Sequence, residues 1–150
     1  MKLKIPPVAV VLILAALMWL AASAAPSLHY ALPGRPPAAV GLALIGVAVC
    51  ISGVVSFQRA GTTVNPMKPG SASRLVVAGV YHFTRNPMYL GLLLALLGWA
   101  VFLSNALAFA AGPLFVLYMN RFQIKPEERA LASLFPQEYA LYKARVRRWI

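Results

Sequence analysis

The chain has 150 residues, of which 61% are hydrophobic and only 11% are charged. Soluble domains average about 45–50% apolar and about 25% charged residues, so this composition excludes a disordered chain and argues strongly against a water-soluble globule. The formal net charge is +11, with three glutamates and no aspartate. In so apolar a chain we assign the excess charge to basic segments facing anionic membrane lipid, and we expect no nucleic-acid partner.

Four apolar runs predict an all-α, polytopic membrane protein with a single domain over residues 1–150. The runs are Pro6–Ala25, Ala38–Phe57, 87–103 and 106–121. The first two carry no charge over 20 residues each, and about 20 helical residues cross a bilayer core of about 30 Å. Only Ser104 and Asn105 separate the last two, so we expect a helical hairpin, followed by a cytoplasmic tail over 123–150.

Basic residues are distributed unevenly between the segments that flank these spans. The N-terminus, the 58–85 loop and the tail share one side and hold 13 of the 14 Lys and Arg residues, whereas the other side holds Arg35. The positive-inside rule therefore predicts that both termini are cytoplasmic, in a bacterial inner membrane. The sequence leaves the oligomeric state open.

Two segments allow more than one interpretation. The first span, which ends with Ala22-Ser23-Ala24, also has features of a secretory signal peptide, although its length and the nearby Pro26 favour a span that is retained. The stretch 58–74 is rich in Gly, Pro, Ser and Thr. It predicts an ordered cytoplasmic loop or a linker.

Small residues recur at helical spacing within two spans, where they allow helices to approach closely in lipid. They are Gly46, Cys50 and Gly53 in the second span, and Gly91, Ala95 and Gly98 in the third.

The tail predicts two cytoplasmic helices. Pro126 suits the first turn of a helix, and Glu127 and Glu128 would then lie where the helix dipole favours anions. Pro136 can begin a second, basic amphipathic helix, suited to lie on the membrane or dock under the bundle. The apolar face of that helix would carry Tyr139, Tyr142, Val146 and Trp149.

Several kinds of site are absent from the sequence pattern. Neither the Rossmann fingerprint nor the P-loop motif occurs. His29 and His82 fall on opposite sides of the predicted membrane, so we expect no metal site. No acid lies within a span, which argues against an ion-coupled transporter.

The segment 79–91 places polar and aromatic residues where the loop enters the third span. Pro87 would occupy the first helical turn, so the free N–H groups there could bind an anionic ligand. Alternatively, Arg85 and Tyr89 could serve only as anchors at the membrane interface.

Two motifs carry a family resemblance. The first is Val80-Tyr81-x-x-x-Arg85-Asn86-Pro87-x-Tyr89-x-Gly91. The second is Glu127-Glu128-x-x-Leu131-x-x-x-Phe135-Pro136-x-x-Tyr139-x-x-Tyr142-x-x-x-Val146-x-Arg148. In this order, and bridged by a helical hairpin, they resemble the isoprenylcysteine carboxyl methyltransferase family, whose general pattern the phospholipid methyltransferases share. The resemblance covers roughly residues 60–149.

The resemblance implies a membrane methyltransferase that uses S-adenosylmethionine and takes a lipophilic small-molecule or lipid-linked acceptor from the bilayer. The implied cofactor-binding residues are Leu75, Val76, Tyr81, Asn86, Pro87, Met88, Tyr89 and Glu127. The implied catalytic residues are Arg85, Tyr89, Arg121 and Glu128. We expect Glu127 to contact the cofactor and Glu128 to face solvent.

This chain departs from the family pattern at four positions. Asn86 replaces the usual His, Pro136 replaces a Gly, and Ser73 stands where a His can occur. Gln123 stands where the family has an Arg implicated in acceptor handling, and Arg121 lies two residues earlier. A carboxylate, an amine and a thiol therefore all remain open as the methyl acceptor.

Methyl transfer from a sulfonium is a displacement that needs mainly positioning and desolvation, so a site with few titratable groups suffices. An amine acceptor would have to lose a proton, for which Glu128 or Tyr89 are the candidates. The competing hypothesis is a non-enzymatic membrane protein, such as a subunit, a scaffold or a degenerate relative.

Overall fold

The computed structural model describes residues 5–61 and 73–150, and the predicted all-α fold is confirmed for them. The α-helices are α1 (Pro7–Ala24), α2 (Arg35–Arg59), α3 (Pro87–Leu103), α4 (Ala111–Met119), α5 (Lys125–Leu134) and α6 (Pro136–Arg145). Turns of 3₁₀ helix cover Pro26–Leu28, Gly79–His82 and Ala106–Ala110, and a π-helical turn covers Asn120–Ile124. The predictions for the basic residues 1–4 and for most of the 58–74 loop lie outside the described residues.

Helices α1 and α2 are long and apolar enough to cross a membrane, as their sequences predict. Only 22% of the most apolar 18-residue window is buried in α1, and 17% in α2. Helices in the core of a soluble protein are mostly buried, whereas these expose apolar side chains of the kind that lipid accommodates. The most exposed include Val8, Leu12, Ile13, Val40, Leu44 and Ile51.

Helix α3 lies at the centre of the bundle and packs most extensively against α2. The packing depends on glycine, as the small-residue spacing predicts. A Cβ atom on Gly46 would lie 2.5 Å from the carbonyl oxygen of Gly91, and one on Gly98 would lie 2.9 Å from that of Ala39. The two backbones are therefore in direct contact. Helices α1 and α4 also pack against α3.

A tight turn at Ser104, where φ is +47°, ends α3 and folds the chain back along it. The loop between α1 and α2 lies against this turn. The backbone N–H of Tyr30 donates to the Ser104 carbonyl at 3.1 Å, and Asn105 Nδ2 donates to the Ala25 carbonyl at 2.8 Å. These bonds define one end of the bundle, while the N-terminus of α3 lies at the other.

Pro126 lies in the first turn of α5 together with Glu127 and Glu128, as predicted, but no break separates α5 from the helix before it. Helical backbone continues from α4 through the π turn into α5, because Met119, Asn120, Ile124 and Lys125 all have right-handed helical φ and ψ angles. Proline lacks an N–H donor, and a widened turn can accommodate that missing hydrogen bond without breaking the helix. The predicted span 106–121 is therefore not a regular α-helix but the first part of this longer helical run.

The predicted amphipathic helix of the tail also ends earlier than its periodicity suggests. Helix α6 ends at Arg145, and Val146 is extended, with φ −118° and ψ 130°. The carbonyls of Arg147 and Arg148 accept hydrogen bonds from the segment before α3. These tertiary hydrogen bonds hold the last residues in a non-helical conformation.

Candidate active site

The two sequence motifs meet at the N-terminus of α3, where the extended C-terminal segment crosses it. The backbone N–H of Arg85 donates to the Arg147 carbonyl at 3.0 Å. Asn86 Nδ2 and Thr84 Oγ1 both donate to the Arg148 carbonyl, at 2.9 and 3.3 Å. Residues more than 60 positions apart are therefore held together by hydrogen bonds to backbone carbonyls.

Glu127 and Tyr89 form the inner part of this site. Tyr89 lies in the first turn of α3, is only 4% exposed, and donates a hydrogen bond from its hydroxyl to Glu127 Oε1. Burial raises the pKa of the Glu127 carboxyl to about 7, the Tyr89 hydrogen bond opposes this rise, and the charge of Glu128 adds to it. Glu127 therefore changes its protonation state close to neutral pH.

Glu128 forms the outer part, where two guanidinium groups surround it. Arg148 donates from Nε at 3.0 Å and from Nη2 at 2.7 Å, and Arg85 Nη1 lies 3.0 Å from Oε1. The Glu128 side chain is only 14% exposed, so the expectation that it faces solvent is wrong. The carboxylate raises the pKa of Arg148, and paired charges of this kind are held firmly in place.

Arg85 has a buried donor that these contacts do not satisfy. Its Nη1 also donates to the Tyr139 hydroxyl, at 3.2 Å. Its Nε is buried and has no hydrogen-bond partner within the described residues. Because an unsatisfied buried donor is costly, this atom marks a position where an acceptor on a ligand would be stabilised.

Aromatic side chains of the tail form a wall beside this cluster. The hydroxyl of Tyr142 donates to the Tyr81 carbonyl at 2.8 Å, and Phe57 packs edge-on against the Tyr81 ring. Val76 belongs to the same buried cluster, and Leu75 packs against it. Burial raises the pKa of the Tyr81 and Tyr142 hydroxyls, so both stay protonated at neutral pH. The sequence left two positions open for the tail, on the membrane surface or under the helical bundle. In the structure the tail docks under the bundle.

The structure does not bring every sequence-predicted site residue into the cluster. Pro87 is buried and Met88 is partly buried in the first turn of α3. Arg121 is exposed on the π turn and, in the part of the chain that the structure describes, makes no hydrogen bond or ion pair to the cluster. Gln123 is fully buried, and its Nε2 donates to the Ile5 carbonyl at 2.7 Å.

Two participants, Arg148 and Tyr139, were not among the predicted cofactor-binding or catalytic residues. Both belong to the second motif, and Arg148 occupies its last position. The sequence did contain an electrostatic indication of such a partner. The chain has three acids and 14 basic residues, and a glutamate that is partly buried needs a basic partner. The pattern did not show which of the tail arginines it would be.

Comparison with known proteins agrees with the two motifs. Residues 36–138 match the phospholipid methyltransferase family. The chain belongs to this family. It is 32% identical over 111 residues to protein-S-isoprenylcysteine O-methyltransferase of Rattus norvegicus and 33% identical over 112 residues to that of Tribolium castaneum. These matches cover 72% and 70% of this chain but 39% and 40% of the relatives, so the chain spans about two fifths of their length.

A third relative is an uncharacterised protein of Haemophilus influenzae. It is 51% identical over 63 residues, which cover 42% of this chain and the whole of that protein. The resemblance to the isoprenylcysteine carboxyl methyltransferases and their phospholipid methyltransferase relatives is confirmed by the family match and by the two named methyltransferases.

Proposed function

We propose that this chain transfers a methyl group from S-adenosylmethionine to a lipophilic acceptor at the cytoplasmic face of a membrane. The observation that carries the proposal is the meeting of the two motifs in one partly buried cluster at the N-terminus of α3. Membership of a methyltransferase family supports the same reaction class. The cluster lies at the end of apolar helices, where an acceptor dissolved in the bilayer could reach it.

The donor groups of the cluster fit S-adenosylmethionine. The unpaired Nε of Arg85 and the N-terminus of α3 suit its carboxylate. The Glu127 carboxylate suits its amino or hydroxyl groups, and the rings of Tyr81 and Tyr89 suit its positive charge. When bound, the cofactor would supply an activated methyl group on its sulfonium. The other residues assigned to its pocket are Leu75, Val76, Asn86, Pro87 and Met88.

The two glutamates would then have different tasks. Glu128 is already paired with two guanidiniums, so its role is to hold Arg85 and Arg148 in place. Glu127, with a pKa of about 7, can accept a proton from an amine acceptor, whereas a carboxylate acceptor would need no base. Arg121 stays in this proposal as an exposed contact for an anionic acceptor group.

The proposed membrane arrangement has four crossings and both termini in the cytoplasm, in a bacterial inner membrane. The uneven distribution of basic residues supports it, as does the grouping of the α1–α2 loop with the turn after α3 at one end of the bundle. Reporter fusions at residue 32 and at the C-terminus should report opposite compartments. Reports from the same compartment would contradict this arrangement.

The reaction is tested by cofactor binding and labelled-methyl transfer with full-length protein purified in detergent. S-adenosylmethionine should bind saturably, and Arg85→Ala and Tyr89→Ala should each lower methyl transfer to membrane extracts at least tenfold, a loss of about 1.4 kcal/mol or more. Arg145→Ala, at an exposed position on α6, is the control.

Activity is compared per folded protein after gel filtration. If the parent binds no S-adenosylmethionine, the non-enzymatic hypothesis is favoured. If the parent is active and both variants match it, Arg85 and Tyr89 are interfacial anchors and the active site lies elsewhere.

A further inference from the structure

An open groove of about 490 Å³ lies between α5 and α6, on the outer side of the glutamate cluster. Its lining combines small, aromatic and charged residues. The lining residues are Lys125, Glu128, Arg129, Ala132, Pro136, Tyr139, Ala140, Lys143 and Arg148.

The groove has an excess of positive charge that the protein itself does not neutralise. Its single carboxylate, Glu128, already forms ion pairs with Arg148 and Arg85. Lys125, Arg129 and Lys143 form no ion pair with an acid in the described part of the chain. Three like charges around one concavity raise the potential there and favour an anion.

The position of the groove along the helical run indicates what kind of anion could occupy it. Lys125 lies six residues after Met119, the last residue of the apolar helix α4. Five of these residues form the π turn, so the advance along the axis is less than the rise of about 9 Å for six α-helical residues. If α4 ends at the hydrocarbon boundary, Lys125 would then lie in the headgroup layer, which is about 5–8 Å thick on each side. Phe122 on the π turn and Leu141 on α6 are both exposed, and exposed apolar side chains suit contact with a membrane surface.

We propose that this groove binds the phosphate of an anionic phospholipid headgroup. A negatively charged headgroup matches the three unpaired cations, each of which contributes to attraction near the membrane surface. A zwitterionic lipid has the same phosphate but would bring its own ammonium into the positive groove. The lipid would brace α6 against α5 beside the Glu128–Arg148 ion pair, which lines the groove.

The test measures binding of fluorescent phosphatidylglycerol to the full-length protein in neutral detergent. The triple variant Lys125→Gln, Arg129→Gln and Lys143→Gln should bind it at least tenfold more weakly than the parent. The matched control, Arg74→Gln, Arg145→Gln and Arg147→Gln, removes the same charge from positions outside the groove. It should change binding less than about twofold, well under the 1.4 kcal/mol that corresponds to tenfold.

Competition distinguishes a lipid from a free ion. Unlabelled phosphatidylglycerol should displace the probe, whereas phosphatidylcholine and inorganic phosphate should not. Equal weakening in both triple variants would overturn the proposal, because it would show diffuse attraction. Displacement by inorganic phosphate alone would overturn it as well. If the groove triple variant fails gel filtration, Lys143→Gln compared with Arg145→Gln, both on α6, applies the same criterion with a smaller expected difference.

Discussion

Replacing Glu128 by Gln should destabilise the protein, because the change removes the one carboxylate that neutralises Arg85 and Arg148. The substituted amide could accept from one guanidinium but carries no charge. Removing one partner of a fully buried pair costs about 3–5 kcal/mol. Here the side chains are 9%, 14% and 31% exposed, and water compensates part of the loss, so we expect about 2–3 kcal/mol. For a chain of this length that corresponds to a fall in Tm of about 5–10 °C.

Tm is measured in detergent by heating samples to a series of temperatures and recording how much of the monodisperse gel-filtration peak remains. Glu138→Gln is the matched control, since Glu138 is exposed in the first turn of α6 and makes no ion pair in the described residues. The double variant with Arg148→Gln should lose less than the sum of the single changes, because the two residues interact directly. If Glu128→Gln and Glu138→Gln have the same Tm, the guanidinium cluster does not hold the tail in place.

Three further changes test the packing and the titration of the site by the same Tm assay. Gly46→Ala would place a Cβ 2.5 Å from the α3 backbone and should lower the free energy of unfolding by about 1–3 kcal/mol. The control is Gly41→Ala, whose Cβ would have no atom within 4 Å and should leave stability unchanged. The carboxyl pKa of Glu127 rises from 4.5 to about 7 on folding, so the native state binds its proton more tightly than the unfolded state. The free energy of unfolding of the parent should therefore fall by up to about 3 kcal/mol as the pH rises through this window. Glu127→Gln should abolish this pH dependence. Gln123→Met loses a hydrogen bond to the Ile5 carbonyl but also removes an unpaired buried oxygen, so it should shift stability by less than about 1 kcal/mol; a larger loss would show that the oxygen has a partner.

The apolar helices could be predicted from the sequence because their determinants are local. An uninterrupted apolar run specifies a helix for lipid regardless of what surrounds it, and the bounds of α1 and α3 differ from the predicted runs by at most one residue. The close approach of α2 and α3 could also be predicted, because a stripe of small residues on a membrane helix indicates close packing against another helix. The turn at Ser104 followed from the short polar break between two apolar runs.

The end of the tail could not be predicted in this way, because its conformation depends on partners far along the chain. The spacing of Tyr139, Tyr142, Val146 and Trp149 is compatible with one continuous helix. Helix α6 nevertheless stops before Val146, since hydrogen bonds from Thr84, Arg85 and Asn86 capture the last carbonyls. Those donors lie more than 60 residues away, beyond any periodicity.

The division of labour between the two glutamates follows from the π turn that sequence analysis missed. Neighbouring residues on a helix point about 100° apart, and a π turn, which accommodates one extra residue, rotates all that follows by about the same angle. In an uninterrupted α-helix the face that now presents Glu127 to Tyr89 would instead present a neighbouring residue. Without the turn at Asn120–Ile124, that residue would be Pro126, and Glu127 would take the place of Glu128. The turn therefore places Glu127 against the phenol and Glu128 with the guanidinium groups.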